Sequence, residues 1–153
     1  MLHYYKNLTT EEKQELIDSI AYITVFIAQA DGVIDKDEIE KAKKIAHIRS
    51  YSVPTDLKEF YTEVGENFDS KLHEIINTLP KDTQERYDFL NNKLSSYNDI
   101  LKKTDYVFAK LLVQSWRSFA KHVAKASGGF LGFLSIGKEE ADLIGLPMIK
   151  DIE

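Results

Sequence analysis

Apolar residues in this chain recur at helical spacing, and nowhere do they alternate convincingly as in a strand. Leu16, Ile20, Ile23, Ile27 and Ala30 fall at steps of four and three, which makes one apolar helical stripe. Thr9 and Glu12 stand ahead of it as a capping box. Val25 and Phe26 add apolar surface on other faces, so the last turns of this helix are expected to be largely buried. A second helix is predicted from about Lys36 to Ile48, with Ile39, Ala42, Ile45 and Ala46 facing inward and Lys41, Lys43 and Lys44 in solvent. Arg49 to Pro54 reads as a connection, because proline is tolerated at a helix start and not inside one.

The pattern continues with a helix from about Thr55 to Glu66, carrying Leu57, Phe60, Tyr61 and Val64. A short helix after Asp69 uses Leu72, Ile75, Ile76 and Leu79 and stops at Pro80. From about Asp82 to Lys102, Tyr87, Leu90, Leu94, Tyr97 and Leu101 repeat with heptad spacing, so this helix should pack on a partner. Thr104 or Asp105 caps the next one, which reaches about Ser127 with Ala109, Leu112, Trp116, Phe119, Val123 and Ala126 as its buried stripe. The expected fold is all-α, a single-domain bundle of about six or seven helices over residues 1–153.

Composition narrows the function. The chain has 153 residues, 43% hydrophobic and 29% charged, ordinary for a soluble globular domain. Its net charge of −5 argues against general nucleic-acid binding and against direct capture of a free oxyanion. With no cysteine, disulfides, zinc–thiolate sites and cysteine nucleophiles are excluded. No stretch reaches the ~18 apolar residues of a membrane span, and the first residues lack a signal-peptide core. A cytoplasmic location is the expectation. Lys110, Arg117, Lys121 and Lys125 gather on one face of the last long helix. They read either as a solvated basic face or as a docking strip for an acidic partner.

The chemistry concentrates at Ala30-Asp31-Gly32-Val33-Ile34-Asp35-Lys36-Asp37-Glu38, a corner between two helices lined with carboxylates. Gly32 suits the left-handed position that closes a helix. Asp35 and Glu38 suit the start of the next, where free N–H groups and the helix dipole favour negative charge. Set against a calcium loop on its glycine, the corner places Asp31, Asp35 and Glu38 at ligand positions, but puts Ile27 and Gln29 where two further ligands belong. A standard EF-hand is therefore rejected. Two readings stay open: helix capping alone, or capping plus a weak Ca²⁺ or Mg²⁺ site, since four close carboxylates repel and a divalent cation relieves them.

The corner has a second copy. Ile27-Ala28-Gln29-Ala30-Asp31-Gly32 is similar to Val123-Ala124-Lys125-Ala126-Ser127-Gly128. Asp35-Lys36-Asp37-Glu38 is similar to Gly137-Lys138-Glu139-Glu140. Two such hairpins suggest an internal pseudo-twofold. Between the halves of the second copy lies an apolar, glycine-rich stretch. It lacks the lysine–hydroxyl pair of a phosphate loop. Phe130, Leu131, Phe133 and Leu134 either tuck into the bundle or form an apolar contact surface for a protein partner or a membrane.

The first corner, together with Ala126-Ser127-Gly128-Gly129-Phe130-Leu131-Gly132-Phe133 and Lys138-Glu139-Glu140, resembles the TerB-like tellurite-resistance family. The resemblance implies an all-helical fold with internal pseudo-symmetry, a cytoplasmic role in stress response, and metal binding at acidic motifs. The matching positions are Asp31, Asp35, Glu38, Glu139 and Glu140, while Ser127 stands where the first copy has aspartate.

The leading expectation is a non-enzymatic module that binds a divalent cation, a protein partner or a second copy of itself. The alternative is a metal-free interaction scaffold whose carboxylates only cap helices. An enzyme is disfavoured: no nucleophile–base pattern is present, and His3, His47, His73 and His122 share no ligand spacing.

Overall fold

The computed structural model describes residues 2–29, 36–126 and 143–152. A short 3₁₀ helix, Leu2–Tyr5, precedes five α-helices: α1 (Thr10–Ala28), α2 (Lys36–Ser52), α3 (Thr55–Thr78), α4 (Thr83–Lys103) and α5 (Tyr106–Ala126). Among the described residues there is no strand, as the apolar spacing requires.

Helix α1 is the centre of the bundle and packs against each of α2, α3, α4 and α5. Every residue from Ile23 to Ala28 is buried, so the helix is apolar on all sides at its C-terminal end. Ser19 and Thr24 are buried as well. Each returns its hydroxyl hydrogen to its own helix, to Leu16 O at 2.6 Å and Ile20 O at 2.8 Å, so neither is left unpaired. The capping box forms in both directions: Glu12 N donates to Thr9 Oγ1 and Thr9 N to Glu12 Oε1, each at 3.0 Å. Asp82 caps α4 and Asp105 caps α5.

The span α3 is two helical segments that meet at a kink at non-helical Asn67 (φ −130°, ψ 15°), between the expected helix end at about Glu66 and the expected helix start after Asp69. No proline interrupts them, and buried Phe68 and Leu72 carry the stripe of Phe60 and Val64 across the kink. Helix α2 continues past Ile48 to Ser52, so Arg49 belongs to a helix and not to a connection. Among the described residues five α-helices stand, with the two segments of α3 counted as one.

The C-terminal segment lies along α4 and α5. Asn98 Nδ2 donates to Met148 O and Lys150 N donates to Asn98 Oδ1, both at 2.9 Å, so one amide reads two backbone groups. Arg117 pairs with Asp151 and donates to Ile149 O at 2.7 Å. Ile144, Leu146 and Ile149 complete the core there.

Candidate anion-binding site

The inward stripe of α2 runs Ile39, Ala42, Ala46 and then Arg49, so the next position on the core face carries a guanidinium. Arg49 is only 9% exposed. Helices α3 and α5 supply its surroundings. Nη1 donates to Ser115 Oγ at 3.0 Å, with the Ser115 carbonyl at 3.4 Å and Tyr61 Oη at 3.5 Å. Nη2 donates to Ser118 Oγ at 2.9 Å and faces His122 Nδ1 at 3.1 Å. The rings of Tyr61 and Phe119 lie 5.6 and 5.7 Å from the guanidinium carbon.

Each of these partners is neutral. They satisfy the N–H groups without cancelling the charge, and no carboxylate pairs with Arg49 among the described residues. A buried charge held only by dipoles carries an uncompensated desolvation cost. Tyr61 and Ser115 hold their ends of the arrangement through a short 2.5 Å hydrogen bond. Burial pushes the Tyr61 phenol up, with Arg49 and Ser115 acting against that rise.

His122 is fixed by the same contact. Arginine can only donate, so Nδ1 accepts and the neutral ring carries its proton on Nε2. Burial, then the charges of Arg49, Lys125 and Lys121, hold the imidazole below its usual range. Two lysines therefore add to the positive potential around the same ring.

This group floors an open cleft of about 440 Å³ between α2 and α5, lined by Ile45, Ile48, Arg49, Val53, Pro54, Ser118 and His122. The volume lies within the range of small-ligand sites. Its walls are apolar, and Ile48 at the rim is 47% exposed. Two larger clefts differ in charge. In one, beside the α3 kink, Lys43 is paired with Glu40 and Asp69. In the other, under the C-terminal segment, Arg117 is paired with Asp151.

Asp31, Asp35, Glu139 and Glu140 lie outside the described residues, as do Phe130, Leu131, Phe133 and Leu134, and so does the side chain of Glu38. Among the described residues no three His, Asp or Glu side chains stand together to hold a metal ion. Near the first corner, Arg86 of α4, 9% exposed, donates from Nε to Gln29 Oε1 at 3.5 Å, which puts a guanidinium at the end of α1. Of the basic residues on α5, Lys121 and Lys125 act on His122, while Arg117 serves the C-terminal segment.

Read from the sequence alone, Pro54 places Arg49 in a connection. The signal that locates it is its register: Ala42, Ala46 and Arg49 are steps of four and three on one helix face. A net charge of −5 does not reveal this positive site, because a sum over the chain says nothing about where charges gather. Compared with protein-family models, curated proteins and solved structures, the chain matches none.

Proposed function

We propose that this protein is a non-enzymatic helical binding module that accepts an anionic group of a partner at Arg49, in the cleft between α2 and α5. The observation that carries this reading is the charge of Arg49: buried, forked, and held only by neutral acceptors. An incoming anion supplies a countercharge that the described residues do not, and Lys121 and Lys125 favour its approach. The basic face of α5 then acts as a docking strip for an acidic partner. His122 is occupied by Arg49 through Nδ1 and so is not poised as a base toward Ser118, which supports binding over catalysis.

The test is the thermal stability of the wild type and Arg49→Lys in a series of sodium salts at constant ionic strength. Acetate or phosphate should raise the wild-type melting temperature above its value in chloride. The variant should lose most of that rise, because lysine keeps the charge but not the fork. Equal shifts in both proteins defeat the reading.

A second reading rests on the carboxylates at the α1–α2 corner. In it, Asp31, Asp35 and Glu38, joined by Glu139 and Glu140 across a pseudo-twofold, hold Ca²⁺ or Mg²⁺ in a TerB-like stress-response module. The support is the repeated acidic motif and the adjacency of α1 and α2. Affinity in the ~10⁻⁴–10⁻³ M range of weak oxygen sites is expected. Melting with and without millimolar Ca²⁺ or Mg²⁺, in the wild type and in Asp31→Asn with Glu38→Gln, decides it: a rise that the double variant loses supports the site.

A further inference from the structure

Resting on the anion reading, the geometry points to an apolar monocarboxylate as the ligand of the α2–α5 cleft. Its head sits on Arg49, its tail lies against Ile45, Ile48, Val53 and Pro54, and His122 takes up a proton as it binds.

The head follows from the donor set. Nη2 of Arg49, between Ser118 and His122, carries the two N–H groups that a carboxylate can take here, and Arg49 is the one guanidinium among the described residues that line the cleft. Its neighbours in the cleft, Ser118 and His122, are uncharged in the free protein. A dianion would bring a second charge for which the floor offers no second buried cation. Lys121 and Lys125 are exposed on α5 and act at longer range.

The tail follows from the walls. Ile45 and Ile48 on α2, with Val53 and Pro54 at the start of the next element, form a continuous apolar flank beside the guanidinium. Ile48 is half exposed although aliphatic, so covering it removes apolar surface from water. A carboxylate without a tail uses the floor of this cleft and leaves the flank wet. The same chemistry has two sources: a free aliphatic acid, or the C-terminal residue of a peptide ending in a branched aliphatic side chain.

The proton follows from hydrogen-bond accounting. In the free protein, Nη2 spends its hydrogens on Ser118 Oγ and His122 Nδ1. A bound carboxylate becomes the better acceptor for both. Nδ1 is then released and can hold a proton from solvent, which it donates to the ligand. The groups facing His122 are Arg49 from α2 and Lys121 and Lys125 from its own helix. All three disfavour that proton until an anion arrives. Binding should therefore strengthen as pH falls from about 8 to about 6, around the ordinary histidine value of ~6.5.

The experiment is calorimetric titration of the full chain with sodium hexanoate, acetate, N-acetyl-leucine, hexan-1-ol and inorganic phosphate, at pH 8 and pH 6. The expected result is hexanoate or N-acetyl-leucine binding about tenfold or more tighter than acetate, since each buried methylene is worth roughly fourfold. Hexan-1-ol should not bind measurably. Affinity should rise by up to about tenfold per pH unit, and His122→Gln should bind without that rise. Ile48→Asn, at an exposed rim position, should weaken hexanoate more than acetate. N-acetyl-leucine exceeding hexanoate identifies a chain terminus as the source, and the reverse a free acid. Acetate or phosphate matching hexanoate, or hexanoate affinity independent of pH, overturns this inference while leaving anion binding at Arg49 intact. No Arg49-dependent binding of any of the anions overturns both.

Discussion

Arg49 Nη2 lies 3.1 Å from His122 Nδ1, across the gap between α2 and α5. The contact holds only while the imidazole is neutral, and it ties the stability of this helix pair to pH. The folded-state value of His122 is depressed, so its contribution is fully present above the ordinary value of ~6.5 and is lost as pH falls through the depressed one. Urea unfolding at pH 7.5 and pH 5.5 should show the wild type losing stability at the lower pH. His122→Gln should lose less. An equal loss in both proteins would assign the pH effect to other groups.

Arg49→Ala should be among the costliest changes outside the apolar core. It removes the cation, leaves Ser118 without its Arg49 donor and leaves Ser115 with Tyr61 alone, at about 2–4 kcal/mol by the usual cost of breaking a buried hydrogen-bond network. Denaturant midpoints at pH 7.5 measure it. A loss within about 0.5 kcal/mol, typical of plain surface sites, would contradict the described packing.

Two buried tyrosines should answer the same substitution in opposite ways. The Tyr61 hydroxyl is bonded to Ser115 Oγ, so Tyr61→Phe leaves that serine and Arg49 short of a partner and should cost about 1 kcal/mol or more. The Tyr97 hydroxyl is buried with no hydrogen-bond partner among the described residues. Its burial is a cost without return, so Tyr97→Phe should be neutral or stabilising by about 1 kcal/mol. The ring itself stays against Trp116, 5.6 Å away, and keeps its packing. Paired equilibrium unfolding curves are sufficient to test this.

Asn98→Ala should free the C-terminal segment before it affects the bundle. The amide supplies both a donor and an acceptor to that backbone, and an alanine leaves neither. Hydrogen exchange at the amide of Lys150 should accelerate, while amides in the middle of α1 keep wild-type protection. Uniform acceleration throughout would mean that the segment is part of the global unfolding unit.

Capping offers a check on the first helix. Thr9→Ala removes the acceptor for Glu12 N and should cost about 0.5–2 kcal/mol. Thr9→Ser should retain most of it, because the hydroxyl is what caps.

The helices, their caps and their buried faces were determined locally. Apolar residues at steps of three and four bury one side of a helix in almost any bundle, so Leu90, Leu94, Tyr97 and Leu101 face inward as expected. Thr9 and Glu12 close their box through backbone only three residues away. The apolar residues on several faces of the last turns of α1 likewise predicted the burial found there. What the sequence left open depended on contacts between distant segments. Asn67 leaves helical geometry between the two expected helices, but how the two segments meet was set by Phe68 and Leu72 finding the same core as Phe60 and Val64. Pro54 ended α2 four residues later than the apolar stripe suggested, since proline restricts chiefly the residue before it and not a whole turn. Arg49 shows the division most clearly. Its register on α2 set the face it occupies. Its chemistry came from Tyr61, Ser115, Ser118 and His122, residues 12 to 73 positions away. The hydrogen bonding, and the lack of a countercharge among the described residues, are properties of that assembled neighbourhood, and only the packing of α2 against α3 and α5 creates it.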